Sequence, residues 1–136
     1  MTLEETNTVI LTSDTRSISH IEPLVCSVFE NHKINFDHFG NVLVALTEAT
    51  NNAIQHGNRC NPEKSVEISY SCGTNMLFFI VRDEGCGFDP ENLPDPTDPE
   101  HLEAPNGRGV FLMRKLADSV SFENNGTKVV LGFKII

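Results

Sequence analysis

The segment from Phe39 to Gly57 constrains the fold of this chain more than any other. Its apolar residues recur at the spacing of one helical face and are Phe39, Val42, Leu43, Leu46, Ala49, Ala53 and Ile54. Glu48 and Asn52 lie four residues apart, so they share a second face, well round the helix from the apolar stripe. Helices often end at a glycine, and Gly57 closes the segment. The pattern predicts an amphipathic helix that buries one face and presents a carboxylate and an amide on the other.

Length and charge limit what the protein can do. The chain has 136 residues, 39% of them hydrophobic, which suits one compact domain over residues 1–136. Its net charge of −9 argues against a nucleic-acid-coating surface, because phosphate backbones are bound by basic residues. The four cysteines form no CxxC pair and no signal peptide is recognisable, so we expect reduced thiols in a cytoplasmic protein.

The hydrophobic pattern predicts strands and helices in a definite order. Residues 66–70 alternate apolar and polar side chains like a half-buried strand, whereas residues 76–81 are continuously apolar, as a central strand is. Strands are expected near 8–11, 66–70, 76–81, 120–122 and 127–136, and helices near 17–32, 38–57 and 110–117. Because hairpins dominate, the predicted class is an α+β two-layer sandwich with a mixed, mostly antiparallel sheet and helices on one face.

Residues 89–106 differ in kind from the rest of the chain. They contain five prolines and six acidic residues, and no Lys or Arg. Irregular segments of this length are uncommon in compact domains, and many are lids or binding loops. We expect a mobile lid here, with a plain disordered insertion as the alternative.

Two glycine motifs follow the opening helix. Asp83-Glu84-Gly85-Cys86-Gly87-Phe88 comes after an apolar strand, and Gly107-Arg108-Gly109 opens a predicted helix. Together with Glu-Ala-x-x-Asn-Ala-x-x-His-Gly from Glu48, these motifs resemble the ATP-binding site of the GHKL superfamily. The Gly-Arg-Gly-Val-Phe-Leu-Met run is most similar to the anti-sigma-factor serine kinases. The resemblance implies the histidine-kinase-like ATPase fold, with ATP and Mg²⁺ as ligands.

The opening helix supplies the first part of the implied site. Asn52 can offer Mg²⁺ a neutral oxygen without adding charge near the phosphates, and Glu48 can accept a proton from an attacking hydroxyl. In the family these positions are the magnesium ligand and the general base. His56 is expected either to contact phosphate or to interact with the helix C-terminus. Taken alone, the pair could equally be a surface glutamate and a capping asparagine.

The glycine motifs supply the rest. The Asp83 carboxylate can accept a hydrogen bond from the adenine amine and so disfavours guanine. The resemblance implies that Gly85 and Gly87 form the adenine pocket and a lid hinge, and that Thr127 lies beside the aspartate. The implied phosphate-binding residues open a predicted helix, whose free N–H groups favour anions, and they are Gly107, Arg108 and Gly109.

By resemblance, the protein is expected to be an ATP-dependent serine/threonine kinase that phosphorylates an anti-sigma-factor antagonist and binds a sigma factor. A homodimer is a further expectation from the family. Three alternatives stay open: a partner-switching module that binds ATP with little or no phosphotransfer, a histidine-kinase-like ATPase domain, and an unrelated α/β domain with accidental motifs. No direct nucleic-acid or membrane partner is expected.

Overall fold

The computed structural model describes residues 7–85 and 105–136. In chain order, the strands and α-helices are β1 (Asn7–Thr12), α1 (Ile21–His32), α2 (Phe39–Asn52), β2 (Ser65–Cys72), β3 (Met76–Arg82), α3 (Pro105–Leu116), β4 (Ser119–Glu123) and β5 (Lys128–Lys134). Short 3-10 helices precede α1 and α2 at Thr15–His20 and Phe36–His38. Within these ranges, no helix is long and apolar enough to cross a lipid bilayer.

The five strands form one sheet in the order β1-β2-β3-β5-β4, and each of the four pairings is antiparallel. The continuously apolar β3 lies at the centre, as its composition predicted. The predicted α+β class is therefore confirmed. Ser69 is an exception to the expected alternation of β2, because it is only 1% exposed although it points away from the apolar face of that strand.

The hydrophobic core lies between the sheet and the helices. From α2 it includes most of the predicted stripe, and Leu46 and Val42 are completely buried. Phe29 of α1 joins it and contacts the rings of Phe36 and Phe39 at centroid distances of 5.6 and 5.5 Å. These ring contacts fix the start of α2 against α1, and the core fixes α2 against the sheet.

The third helix begins earlier than predicted. Helix α3 starts at Pro105 rather than at Val110, so Gly107-Arg108-Gly109 lies inside its first turns. Proline is favoured at the first position of a helix, where its missing N–H group would be unbonded in any case. The predicted lid over 89–106 is therefore wrong at its end, since Pro105 and Asn106 are helical. Its other residues, 89–104, lie outside the described chain.

The opening helix ends differently from the prediction. Helix α2 proper ends at Asn52, and Ala53–Gly57 continues it as one wider π-helical turn. Gly57 does not adopt a left-handed conformation; the chain turns instead at Arg59 and Cys60, whose φ angles are 53° and 55°. Single π-turns are frequent at functional sites. The backbone angles of Gly57 therefore do not require glycine, whereas its close neighbours do.

The central role of α2 in the core can be tested at Leu46. We expect Leu46→Ala to lower the free energy of unfolding by about 2–5 kcal/mol, because it leaves a cavity in a fully packed interior. Val44 lies on the same helix but is 41% exposed. Val44→Ala should change stability by less than about 0.5 kcal/mol. Urea denaturation of both variants makes the comparison, and equal losses would contradict the packing described.

Candidate functional site

A pocket opens between α2, α3 and the ends of the central strands. Aliphatic, aromatic and sulfur-containing side chains form most of its wall, and a few polar groups face the same space. The lining residues are Ala49, Asn52, Ala53, Val81, Asp83, Met113, Phe122, Gly126, Thr127 and Val129. An apolar slot with a few converging polar groups is the usual form of a small-molecule site.

Asp83 supplies the carboxylate of this pocket. It follows β3 directly, and its N–H group donates to the carbonyl oxygen of Thr127 at 2.9 Å. Its Oδ1 accepts a hydrogen bond from the Gly85 N–H at 2.8 Å. Burial raises the pKa of Asp83; the hydrogen bond from Gly85 and the positive charge of Lys64 oppose that increase. One bond from Gly85 leaves acceptor capacity on the carboxylate, so it can receive a donor from a ligand.

The turn after β3 packs against the end of the α2 helical segment without intervening side chains. A Cβ atom on Gly57 would overlap the Asp83 carboxylate, and a Cβ atom on Gly85 would overlap the backbone of Gly57. Both positions therefore require glycine because of close approach rather than unusual backbone angles. The contact sets the position of Asp83 relative to Asn52, which lies on the preceding turns of the same segment.

Asn52 of α2 also lines the pocket. Its Nδ2 atom is buried and has no hydrogen-bond partner within the described chain. A Cβ atom on Gly109 would lie only 2.9 Å from this Nδ2, so glycine lets α3 approach the amide closely. Buried amides are nearly always bonded, and an unbonded one beside a pocket marks a group prepared for a ligand. An amide offers an oxygen to a cation or an N–H to a phosphate, so Asn52 fits the Mg²⁺-nucleotide that its sequence motif implies.

Thr127 also meets the expectation from sequence. It lines the pocket, and its carbonyl oxygen receives the Asp83 N–H group. Its hydroxyl donates to the carbonyl oxygen of Asn124 at 2.8 Å, which leaves the oxygen lone pairs able to accept. The hairpin that carries it contains left-handed Asn124, Asn125 and Gly126, with φ angles of 53°, 58° and 85°. The hairpin turn that the Asn-Gly pair predicts thus lies at the rim of the pocket.

The remaining predicted residues surround the pocket rather than line it. Glu48 is half-buried, one turn before Asn52 on α2. His56 lies in the π-helical turn, where burial lowers its pKa. Arg108 is exposed and follows Gly107 in the first turns of α3. None of these three residues is among those that line the pocket. Gly87 lies outside the described residues.

Sequence reasoning assigned several pocket residues to the core alone. Val81, Met113 and Val129 are almost completely buried, and each also forms part of the pocket wall. Their periodicity indicates burial but cannot indicate what covers them. Asn58 was missed altogether: it is only 2% exposed, and its side chain bonds to Glu84 in the turn after β3 and to Ser65 at the start of β2. Its position directly after the His-Gly end of the helix motif was the available signal.

In residues 7–85 and 105–136, no group of three or more His, Cys, Asp or Glu side chains gathers as a metal site. Mg²⁺ in nucleotide sites is commonly held by one or two protein oxygens together with substrate phosphates. A single amide such as Asn52 is therefore a sufficient protein ligand for that arrangement.

Comparison with known proteins agrees with this geometry. The family model for the histidine kinase-like ATPase domain matches residues 11–133. An anti-sigma F factor of Clostridium perfringens is 33% identical over 101 residues, which cover 69% of this chain and 71% of the relative. A serine-protein kinase RsbW of Oceanobacillus iheyensis is 27% identical over 108 residues, covering 75% of this chain and 68% of the relative. The serine-protein kinase RsbW of Bacillus subtilis is 30% identical over 96 residues, which cover 66% of this chain and 60% of the relative.

The family match over residues 11–133 includes every residue that lines the pocket, and it defines the class. The chain belongs to the histidine kinase-like ATPase family, within its group of anti-sigma-factor kinases. The family recognised from the three motifs is thereby confirmed. ATP use follows as a property of the family, while the roles of individual residues are argued below.

The raised pKa of Asp83 makes a prediction about stability. A carboxyl group whose pKa is raised on folding stabilises the fold below its unfolded pKa and loses that contribution as pH rises through the folded value. At pH 7 the ionised Asp83 is therefore a cost, and Asp83→Asn should raise the melting temperature of the nucleotide-free protein. The amide oxygen can still accept from Gly85. The gain should shrink as pH falls through the raised pKa of Asp83, because the wild-type carboxyl group then becomes protonated.

Asp37→Asn provides the matched control for this measurement. Asp37 is exposed, so its substitution measures the effect of removing one negative charge from an acidic protein. Differential scanning calorimetry from pH 4 to pH 8 makes the comparison. A lower melting temperature for Asp83→Asn than for wild type at pH 7 would contradict the desolvation described.

Proposed function

We propose that this protein is an ATP-dependent serine/threonine protein kinase that phosphorylates an antagonist protein and sequesters a sigma factor. The observation that carries the proposal is the buried, unbonded Nδ2 atom of Asn52 in the lining of the same pocket as the half-buried carboxylate of Asp83. The two groups suit opposite ends of one ligand: a base with an exocyclic amine and a magnesium-bound phosphate. The names of the relatives support the choice of protein kinase and sigma-factor partner.

The base is read at the inner end of the pocket. The Asp83 carboxylate accepts from the 6-amino group of adenine, whereas guanine presents a carbonyl oxygen at that position and is repelled. Val81, Met113 and Val129 enclose the ring in apolar surface. Thr127 supplies a second polar group beside the aspartate. Selectivity for adenine thus depends on one carboxylate, that of Asp83, which the protein partly shields from water.

Phosphate transfer takes place at the outer end. Glu48 accepts the proton of the serine or threonine hydroxyl as its oxygen attacks the γ-phosphorus, and ADP leaves. Arg108 and the first turn of α3 stabilise the negative charge on the phosphates. Asn52 holds Mg²⁺, which neutralises phosphate charge when it is bound. The proposed roles account for the position of all four groups outside or at the rim of the apolar slot.

The partners follow from the same proposal. A kinase of this group acts on a hydroxyl of another protein, so a second protein completes the site. Sequestering a sigma factor places the protein in the cytoplasm. The antagonist protein and the sigma factor both contact the nucleotide-bound form of the kinase. The nucleotide in the pocket therefore couples phosphotransfer to the release of the sigma factor.

Nucleotide binding is tested at Asn52. We expect Asn52→Ala to weaken Mg-ATP binding by about tenfold or more, because a charge-assisted contact is lost. The nucleotide-free variant should be at least as stable as wild type, since a buried unbonded amide has been removed. Isothermal titration calorimetry gives the affinity, and a thermal melt without ligand gives the stability.

Asn51→Ala is the matched control, since Asn51 is the neighbouring residue of α2 and does not line the pocket. It should bind Mg-ATP as wild type does. Absence of Mg-ATP binding by the wild-type protein at millimolar concentration would contradict the proposed function as a whole. Equal affinities for the two alanine variants would contradict the role of Asn52.

Catalysis is tested at Glu48. We expect Glu48→Gln to lower the rate of phosphate transfer by about 100-fold or more, because the amide cannot accept a proton, while Mg-ATP affinity changes by less than about twofold. Transfer of radiolabelled γ-phosphate to the co-purifying antagonist protein measures the rate. Glu22→Gln, an exposed glutamate of α1, is the control. An undiminished rate for Glu48→Gln would rule out the general-base role, and no transfer by wild type would favour a binding module.

A further inference from the structure

A closed circuit of hydrogen bonds ties three separate segments together behind the pocket. Asn58 Oδ1 accepts from the Glu84 N–H at 2.7 Å, and Asn58 Nδ2 donates to the carbonyl oxygen of Ser65 at 2.8 Å. The Glu84 carboxylate in turn accepts from the Ser65 N–H at 2.6 Å and from its hydroxyl at 3.3 Å. The circuit joins the end of the α2 helical segment, the start of β2 and the turn after β3.

Asn58 is the buried member of this circuit. It is 2% exposed, and its own backbone is also bonded, from its N–H to the Ala53 carbonyl at 2.8 Å and from Asn61 to its carbonyl at 3.1 Å. The orientation of its amide is fixed by its partners, because a backbone N–H needs an acceptor and a backbone carbonyl needs a donor. No other common side chain of this size supplies both groups.

The circuit lies directly beside the groups that read the base. Asn58 follows Gly57, and Glu84 follows Asp83, so the bond between Asn58 and Glu84 is adjacent to the close contact between Gly57 and the Asp83 carboxylate. Asn58 itself does not line the pocket. Its bond restrains the backbone on one side of Asp83, while the bond from the Asp83 N–H to Thr127 restrains the other.

We propose that Asn58 is a positioning residue that holds the Asp83 carboxylate in the orientation that recognises the 6-amino group, and so sets the base selectivity of the pocket without touching the base. The inference rests on the proposed adenine contact of Asp83. Without the amide, the turn carrying Asp83 keeps the bonds between Glu84 and Ser65 of β2 but loses its hydrogen bond to the end of the α2 helical segment. The carboxylate then samples several orientations, and a directional hydrogen bond to the amine is weakened.

The test compares two nucleotides that differ in one group. Mg-ATP carries the 6-amino group, whereas the Mg²⁺ complex of purine riboside triphosphate has hydrogen there and is otherwise the same. Calorimetric titration of wild type gives the ratio of the two affinities. We expect Asn58→Ala to lower the affinity for Mg-ATP by about tenfold, because one well-aligned hydrogen bond to the base is lost. The affinity for the analogue should change by less than about twofold.

Asn61→Ala is the matched control. Asn61 belongs to the same loop, but its side chain accepts only from the nearby Glu63 N–H at 3.0 Å. It should leave both affinities as in wild type. A general loss of protein stability would lower the affinities for both nucleotides alike. If Asn58→Ala lowers the two affinities equally, the inference is therefore overturned. An unchanged affinity ratio would overturn it as well.

If Asn58→Ala does not fold, a second variant tests the same inference. The Glu84 side chain is exposed, so Glu84→Ala removes one link of the circuit without opening the interior. It should lower the affinity ratio in the same direction by about threefold. A wild-type ratio in Glu84→Ala would then overturn the proposal.

A double-mutant cycle separates this inference from the proposed function. In an Asp83→Ala background, Asn58→Ala should no longer change the affinity for Mg-ATP, because it acts only through the carboxylate. An undiminished effect in that background would contradict the positioning role while leaving ATP binding intact. Failure of the wild-type protein to prefer Mg-ATP over the analogue would instead contradict the adenine contact itself.

Discussion

The structure depends on one contact, between the end of the α2 helical segment and the turn after β3. Gly57 and Gly85 bring these two backbones together, and the Asp83 carboxylate lies against Gly57 where a side chain would otherwise be. One wall of the pocket comes from the helix and the other from the sheet. The contact therefore fixes the distance between the groups proposed to hold the base and the phosphates. The π-helical turn at Ala53–Gly57 provides the extra residue of width that lets the helix reach the sheet.

The site is stabilised by its surroundings rather than by itself. Asp83 is desolvated, and the Asn52 amide has a buried atom without a partner. Both features cost stability in the nucleotide-free protein and can be recovered on binding, since a ligand supplies the missing partners. The core around Leu46 and the hydrogen-bond circuit at Asn58 compensate locally. Binding energy and folding stability are thus linked at the same few residues.

The sequence predicts the helical stripe of α2, the central position of β3 and the hairpin at Asn124, because each is a local pattern of burial or backbone geometry. It predicts Asp83, Asn52 and Thr127 through motifs, and the structure brings these three to one pocket. It misses the early start of α3, because prolines at Pro99 and Pro105 read as loop. It assigns the wrong reason to Gly57, since contact between segments distant in sequence leaves no local pattern. Asn58 is missed for the same reason.

A crystal structure of the protein with Mg²⁺ and a non-hydrolysable ATP analogue tests the central claim most directly. We expect the adenine ring between Ala53, Met113 and Val129, with its 6-amino nitrogen about 3 Å from an Asp83 carboxylate oxygen. We also expect the Asn52 amide in contact with the metal or its phosphates. A base bound elsewhere, or bound in the pocket without contact to Asp83, would contradict the claim.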